Sequence, residues 1–432
     1  MRPTLAALTL LLAAAAQAQT PSVLPSADAT DPQKLGWMQG SPPPPDKLVR
    51  HQDASFYKFP QTRWSFANFR QFLPTTNVWR GTGTPSALPK ALRQDIDALS
   101  FTPLGQSTPM SWEQSLAANY TDAIVVLHKG RLVYERYFGV MKPHQAHASM
   151  SVTKSFFGTL GAMLVAQGRL DENALVTRYV PELEGTAYSD ATVRQVMDMT
   201  TGVRYSENYA DPKAEVWDHI RAGGLFPKPP GYSGPSSYYG FLKTLKKEGE
   251  HGQAFAYKTV NTDVLGWVLR RASGQSVGEL LSESIWQKLG AEQDAYMVVD
   301  SEGSEFAGGG LNLTARDLAR FGEMLRLNGR YNGQQILPAS VVQDIRQGAN
   351  KDHFAQAGYA LLAGWSYRNM WWVTHNAHGA FAARGVHGQM LYIDPKAEMV
   401  VARFGSHPLA ANANFDPTTL PAMQALAQHL MR

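Results

Sequence analysis

The stretch Ser149-Met150-Ser151-Val152-Thr153-Lys154-Ser155 opens the most readable segment of the chain. Behind it, Phe156, Phe157, Leu160, Met163 and Leu164 recur at helical spacing and Gly168 supplies a stop, which predicts a helix from Ser151 to Gln167. On such a helix residues three apart share a face, so the Lys154 amine can reach the Ser151 hydroxyl. A serine hydroxyl is a weak nucleophile until a neighbouring base takes its proton. A lysine can serve when burial or a nearby cation lowers its pKa. Ser151 also begins the helix, so its unpaired backbone N–H can face a developing oxyanion. Spacing alone does not decide the matter, because Ser55-Phe56-Tyr57-Lys58 repeats it. That copy lies in an aromatic segment, is broken by Pro60 and has no amphipathic helix behind it, and it reads as coincidence.

Upstream, Ala123–Leu127, the turn His128-Lys129-Gly130 and Arg131–Phe138 form a β-hairpin signal. Downstream, about 170 to 350 reads mainly as helices and loops. Ala191–Met199, Asn261–Ala272 (stopped by Gly274) and Thr314–Leu327 are the helices, and Thr314 with Asp317 forms a capping pair. The end returns to strands at Gln389–Ile393 and Glu398–Phe404 around Asp394-Pro395-Lys396-Ala397, then a helix at Leu420–Met431. Strands at both ends with helices between predict an α/β (α+β) fold. Its antiparallel sheet is built from both ends of the domain, with flanking helices and a mainly helical insertion at about 181–355.

Two further segments could carry chemistry. Tyr257-Lys258-Thr259 precedes a helix, where a phenol beside a lysine cation can carry a proton; a packing tyrosine is the alternative. Gly385-Val386-His387-Gly388-Gln389 leads into a strand, where close glycines mark either backbone approach to a ligand or an ordinary loop.

Composition bounds the function. The 432 residues are 44% hydrophobic and 18% charged, the balance of a folded protein with a sizeable core. A net charge of +4 is too small to argue for a nucleic-acid partner. The absence of cysteine excludes disulfides, thiolate metal sites, a cysteine nucleophile and an N-terminal lipid on cysteine. Arg2, the apolar Leu5–Ala16 and Ala16-Gln17-Ala18 have the order of a secretory signal peptide cleaved after Ala18. The expectation is a periplasmic or secreted protein with no membrane anchor after cleavage. The chain then divides into 1–18, a Pro/aromatic-rich extension at 19–110 and a main domain at 111–432. Within the extension, 19 to about 50 reads as flexible or extended, and the aromatic remainder as packed on the main domain. His144 and His147, and His375 and His378, are three apart but lack a nearby acidic partner in a zinc arrangement, so neither metal nor cofactor is expected.

Taken together, the strings at 149–155, Met199-Thr200-Thr201-Gly202-Val203, Asn208-Tyr209-Ala210-Asp211-Pro212, Asn261-Thr262-Asp263-Val264-Leu265-Gly266-Trp267 and 385–389 resemble the serine β-lactamase and penicillin-binding-protein fold over about 110–432. Within it they are most similar to the subgroup related to 6-aminohexanoate-dimer hydrolase. The resemblance implies that Ser151 is acylated, Lys154 is its base and Tyr257 protonates the leaving group and later helps activate water. It further implies that Tyr209 lies on a loop closing over substrate, and that the substrate is a small ester or linear amide. The second oxyanion N–H is placed near Ala383, and His387 beside it is taken as substrate-binding. Two departures stand out. Thr259 replaces an asparagine common in relatives. The Lys-Thr-Gly triplet of β-lactamases is missing at about Ala380–Ala382, which argues against β-lactams or peptidoglycan termini. A β-lactamase, a D-amino-acid peptidase or esterase, and a non-catalytic binding protein on the same fold are the alternatives.

Overall fold

Ala123–Leu127 is apolar at every position because its strand is covered on both faces. Ala123, Val125 and Leu127 enter one core, while Ile124 and Val126 enter another. The computed structural model describes residues 24–432, so the segment read as a signal peptide lies outside the described residues. Among the described residues, seven strands form the main sheet: β1 (Thr121–His128), β2 (Arg131–Tyr137), β3 (Ser366–Arg368), β4 (Trp371–Val373), β5 (Phe381–Gly385), β6 (Gln389–Asp394) and β7 (Met399–Gly405). Their order is β3-β4-β5-β6-β7-β1-β2, with every neighbouring pair antiparallel. Strand β7, near the end of the chain, pairs with β1, so the sheet is indeed built from both ends of the domain.

On one face lie α1 (Val152–Ala166) and α3 (Ala315–Arg326), and α2 (Thr259–Ser273) packs against α1. Phe156 of α1 stacks on Phe321 of α3 with ring centroids 3.9 Å apart. Every residue of α1 from Val152 to Leu164 is buried, so this is a central helix rather than an amphipathic one. On the other face, α4 (Asp416–Leu430) and the helix Trp112–Ala118 cover Ile124, Val126, Met399 and Val401. Helix α4 begins four residues before the expected Leu420, with Pro417 in its first turn and Pro421 inside it. Pro421 has no N–H to offer the Pro417 carbonyl, and Leu104 N donates to that carbonyl at 2.8 Å instead. The pair at the start of α3 is reciprocal through the side chains. Thr314 Oγ1 accepts from Asp317 N and donates to Asp317 Oδ2 at 2.8 Å, and the same carboxylate also accepts from Glu292 N, Gln293 N and Arg320.

A second sheet was not legible in the sequence. Strands Thr75–Val78, Ala295–Val298, Leu311–Leu313 and His147–Ala148 pair in that order, all antiparallel. They are two to four residues long, too short for alternation to register. The extension thus supplies an edge strand. Its Phe56, Phe66 and Phe69 also join Met150, Ile220, Tyr238 and Phe306 in a third core. Residues 24–50 differ from the flexible or extended reading: the short helix Pro32–Leu35 is capped by Asp31, Gln33 Nε2 donates to Gly139 O at 2.6 Å, and Val49 is buried. Local caps and contacts with the domain outweigh the proline-rich composition there.

Candidate active site

The strand His147–Ala148 ends directly on Ser149-Met150-Ser151. Ser149 is pinned twice to Leu311 O, by its N at 3.0 Å and its Oγ at 2.7 Å. Met150 takes φ +46°, an uncommon value for a non-glycine residue, and this sharp turn delivers Ser151 to the head of α1. The first turn is hydrogen-bonded from Val152 N onward. Lys154, one turn along, is 1% exposed. Its Nζ lies 2.9 Å from Ser151 Oγ and donates to Gly308 O at 2.5 Å. Burial lowers the Lys154 pKa to about 8, while the negative charges of Glu207 and Asp263 act against a further fall. The lysine can therefore give up its proton only slightly above physiological pH, far below the range of a free lysine.

Tyr257 ends the segment that leads into α2. The Lys154 ammonium lies 5.1 Å from its ring centroid, and Trp372 stacks on the ring. Burial, then the charge of Glu207, raises the phenol pKa well above its ordinary value; Ser151 and Arg384 pull the other way. The phenol is thus a neutral proton donor. Lys258, the adjacent lysine in sequence, turns away to Val203 O, so the cation beside Tyr257 is Lys154.

Ser151, Tyr209 and Tyr257 line one cavity of about 550 Å³, together with Glu207, Trp372 and Arg384. The structure therefore brings Tyr209 into one cavity with Ser151 and Tyr257. Its hydroxyl donates to Glu207 Oε1 at 2.7 Å. Glu207 also accepts from Thr259 N and Thr259 Oγ1, each at 2.7 Å. One carboxylate thereby caps the start of α2 and ties it to the Tyr209 loop, and this residue escaped sequence reading. Thr259, the departure from relatives, is the partner it uses. Asn261 is turned elsewhere, accepting from Tyr188 and Thr201.

Two expected site residues are displaced. Ala383 is fully buried and packs into the core beneath β5. The strand reaches the nucleophile two residues later: a Cβ on Gly385 would stand 3.0 Å from both Ser151 N and Ser149 O. Only glycine permits that approach without a shift. The stretch facing Ser151 is therefore Ala383-Arg384-Gly385, three residues beyond the expected Ala380–Ala382, and it places an arginine in the cavity wall. His387 does not line the cavity. Its Nδ1 donates to His407 O at 2.7 Å, its ring packs on Tyr57 and Phe66, and burial lowers its pKa to about 4. The aromatic extension, which the sequence could not place against this loop, covers it.

Behind the lysine lies a buried polar chain. Asp263 Oδ1 accepts from Gly308 N at 3.2 Å, and Asp263 Oδ2 lies 2.8 Å from His219 Nε2; both side chains are fully buried. The second Ser-x-x-Lys copy has no such setting. Ser55 Oγ bonds the Arg50 backbone and Lys58 Nζ bonds Asp53 O. The paired histidines also separate, His147 to Asp122 and His378 to Asp394.

Residues 112–411 match the family described as Beta-lactamase. The 6-aminohexanoate-dimer hydrolase of Paenarthrobacter ureafaciens is 37% identical over 355 residues, covering 82% of this chain and 88% of that protein. A solved structure from Bacillus anthracis, provisionally named a 6-aminohexanoate-dimer hydrolase, superposes with a TM-score of 0.81 at 34% identity, covering 90% of this chain and 98% of that one. EstCE1, a hydrolase with promiscuous acyltransferase activity, shares the fold at a TM-score of 0.56 and 17% identity, over 74% and 96% of the two chains.

Proposed function

The chain belongs to the β-lactamase family and is a serine hydrolase acting on amides or esters, and from that premise we propose that it works through a Ser151–Lys154–Tyr257 centre that cleaves small esters or linear amides by way of an acyl-enzyme. The observation that carries this reading is the buried Lys154 Nζ, 2.9 Å from Ser151 Oγ. Neutral Lys154 takes the hydroxyl proton as Oγ bonds the substrate carbonyl carbon. The oxyanion is held by Ser151 N–H and by a second N–H from the Gly385–Val386 stretch. Tyr257 gives its proton to the departing oxygen or nitrogen and is re-protonated from Lys154. Water then gives a proton to Lys154 as its oxygen bonds the acyl carbon, the bond from that carbon to Oγ breaks, and Lys154 returns the proton to Ser151 as the carboxylic acid leaves.

The test is intact-mass analysis after rapid mixing with p-nitrophenyl esters, linear anilides and a β-lactam. The expected result is an acyl adduct mapped to Ser151 with the ester. A folded protein that never gains mass on Ser151 from any ester would make it a binding module. The β-lactam is expected to react slowest, because Ala383-Arg384-Gly385 offers no lysine at the place facing Ser151.

Two variants probe the surroundings. Gly385→Ala puts a methyl against Ser151 N and Ser149 O, forcing β5 away from the helix start. It is expected to lower kcat by about 10²–10³, the size of losing one oxyanion donor; a wild-type kcat would remove β5 from the oxyanion site. Asp263→Asn deletes a negative charge that raises the Lys154 pKa while leaving an oxygen for Gly308 N. The rising limb of the pH–kcat curve is expected to move to lower pH, and an unmoved limb would mean that Lys154 does not set it.

A further inference from the structure

Two spaces meet at Ser151. One is the cavity holding Tyr257 and Arg384; the other is a slot of about 40 Å³ bounded by Tyr57, Met150, Trp217, Ile220, Phe306 and Val386. Ser151, Tyr209 and Val386 border both, but Tyr257 borders only the first. If Tyr257 protonates the leaving group, that group must occupy the larger cavity, and the acyl chain must point into the slot. We infer that the slot is an acyl subsite for short, neutral acyl groups, and that the N-terminal extension exists in part to wall it. The inference rests on the Ser151–Lys154–Tyr257 reading.

The walls fit that ligand. Among the described residues, none bordering the slot carries a charge, so an acyl chain ending in an ammonium or carboxylate would lose its hydration without gaining a charged partner there. The volume is room for on the order of three non-hydrogen atoms, at one water per 10–15 Å³. Tyr57 belongs to the extension, its hydroxyl lying 3.8 Å from Met150 Sδ, next to the nucleophile. Phe226 packs edge-on against Tyr57 and stacks on Trp217, which holds that wall in place. Ile220 is 7% exposed and stands in the same aromatic cluster.

The experiment measures kcat/KM for p-nitrophenyl acetate, butyrate, hexanoate and octanoate, each as a ratio to acetate so that the active fraction cancels. Wild-type protein is expected to favour butyrate and to fall about tenfold or more by octanoate. Ile220→Phe should lower the butyrate-to-acetate ratio, and Ile220→Ala should raise the hexanoate-to-acetate ratio, each by about tenfold, within the range for one methylene in an apolar pocket. A wild-type profile that rises through octanoate overturns the subsite, and so do two active variants with the wild-type ratios. Either variant suffices should the other fail to fold. Acyl adducts on Ser151 separate the two levels: their absence with every ester removes the underlying reading, whereas adducts with unaltered ratios remove the slot alone.

Discussion

Replacing Lys154 by methionine is expected to lower kcat/KM for a reactive ester by about 10⁴-fold or more, and replacing Ser151 by alanine by no less. The two act as one unit, because the hydroxyl attacks only as its proton leaves for the amine 2.9 Å away. The double variant should therefore be no slower than the worse single one. Single-turnover rates on all three variants check this, and losses that multiplied would show two independent contributions. Wild-type activity should rise with pH through about 8, where Lys154 loses its proton. Stability follows the same group. Its folded pKa lies below its unfolded value near 10.5, so between about pH 8 and 10.5 the unfolded chain holds a proton that the native protein has released. Native stability gains with rising pH across that window, and below it the buried ammonium costs stability in full. Lys154→Met should accordingly raise Tm at pH 7 while abolishing turnover, with the gap closing as pH approaches 10.5. A methionine variant less stable than wild type at pH 7 would mean that the lysine's hydrogen bonds to Ser151 and Gly308 outweigh its desolvation.

What the sequence disclosed and what it hid divide along the distance over which each feature is determined. That Ser151 and Lys154 meet was legible because residues three apart on one helix share a face. The β1–β2 hairpin and the β6–β7 pair were legible because each closes through a short turn. Glu207 was not, since its meaning lies in Thr259, 52 residues away, whose N–H it caps. Nothing in its own neighbourhood marks it. The shift from Ala383 to Gly385 is of the same kind. A strand's direction can be read locally, but which residue crosses a distant helix start is set by how the whole sheet packs on α1. His387 shows the limit most clearly. Lying between Val386 and Gly388 in a glycine-rich turn beside the site, it reads as a ligand-facing residue, yet Tyr57 and Phe66 from some 330 and 321 residues upstream bury it. The extension that does so also provides the edge of the second sheet, whose last strand aims the nucleophile.

Tyr257→Phe is expected to separate amides from activated esters. The phenol lies among Lys154, Trp372 and Ser151, and burial keeps it protonated well beyond neutral pH. An amine cannot leave as its anion, so losing this donor should slow hydrolysis of a linear anilide by about 10²–10⁴. A p-nitrophenolate leaves without protonation, and its release should fall by only about tenfold. The pH profile discriminates further. If Lys154 is the base, the ester profile of Tyr257→Phe keeps its rise near pH 8, because the group responsible is still present. Were Tyr257 the base acting as a phenolate, the variant would lose ester and anilide cleavage alike. Wild-type activity would then climb only above pH 10, where a phenol held above its ordinary pKa begins to ionise. Measuring acylation of Ser151 by both substrates across pH 6 to 10 assigns the two protons, one to the amine on α1 and one to the phenol before α2.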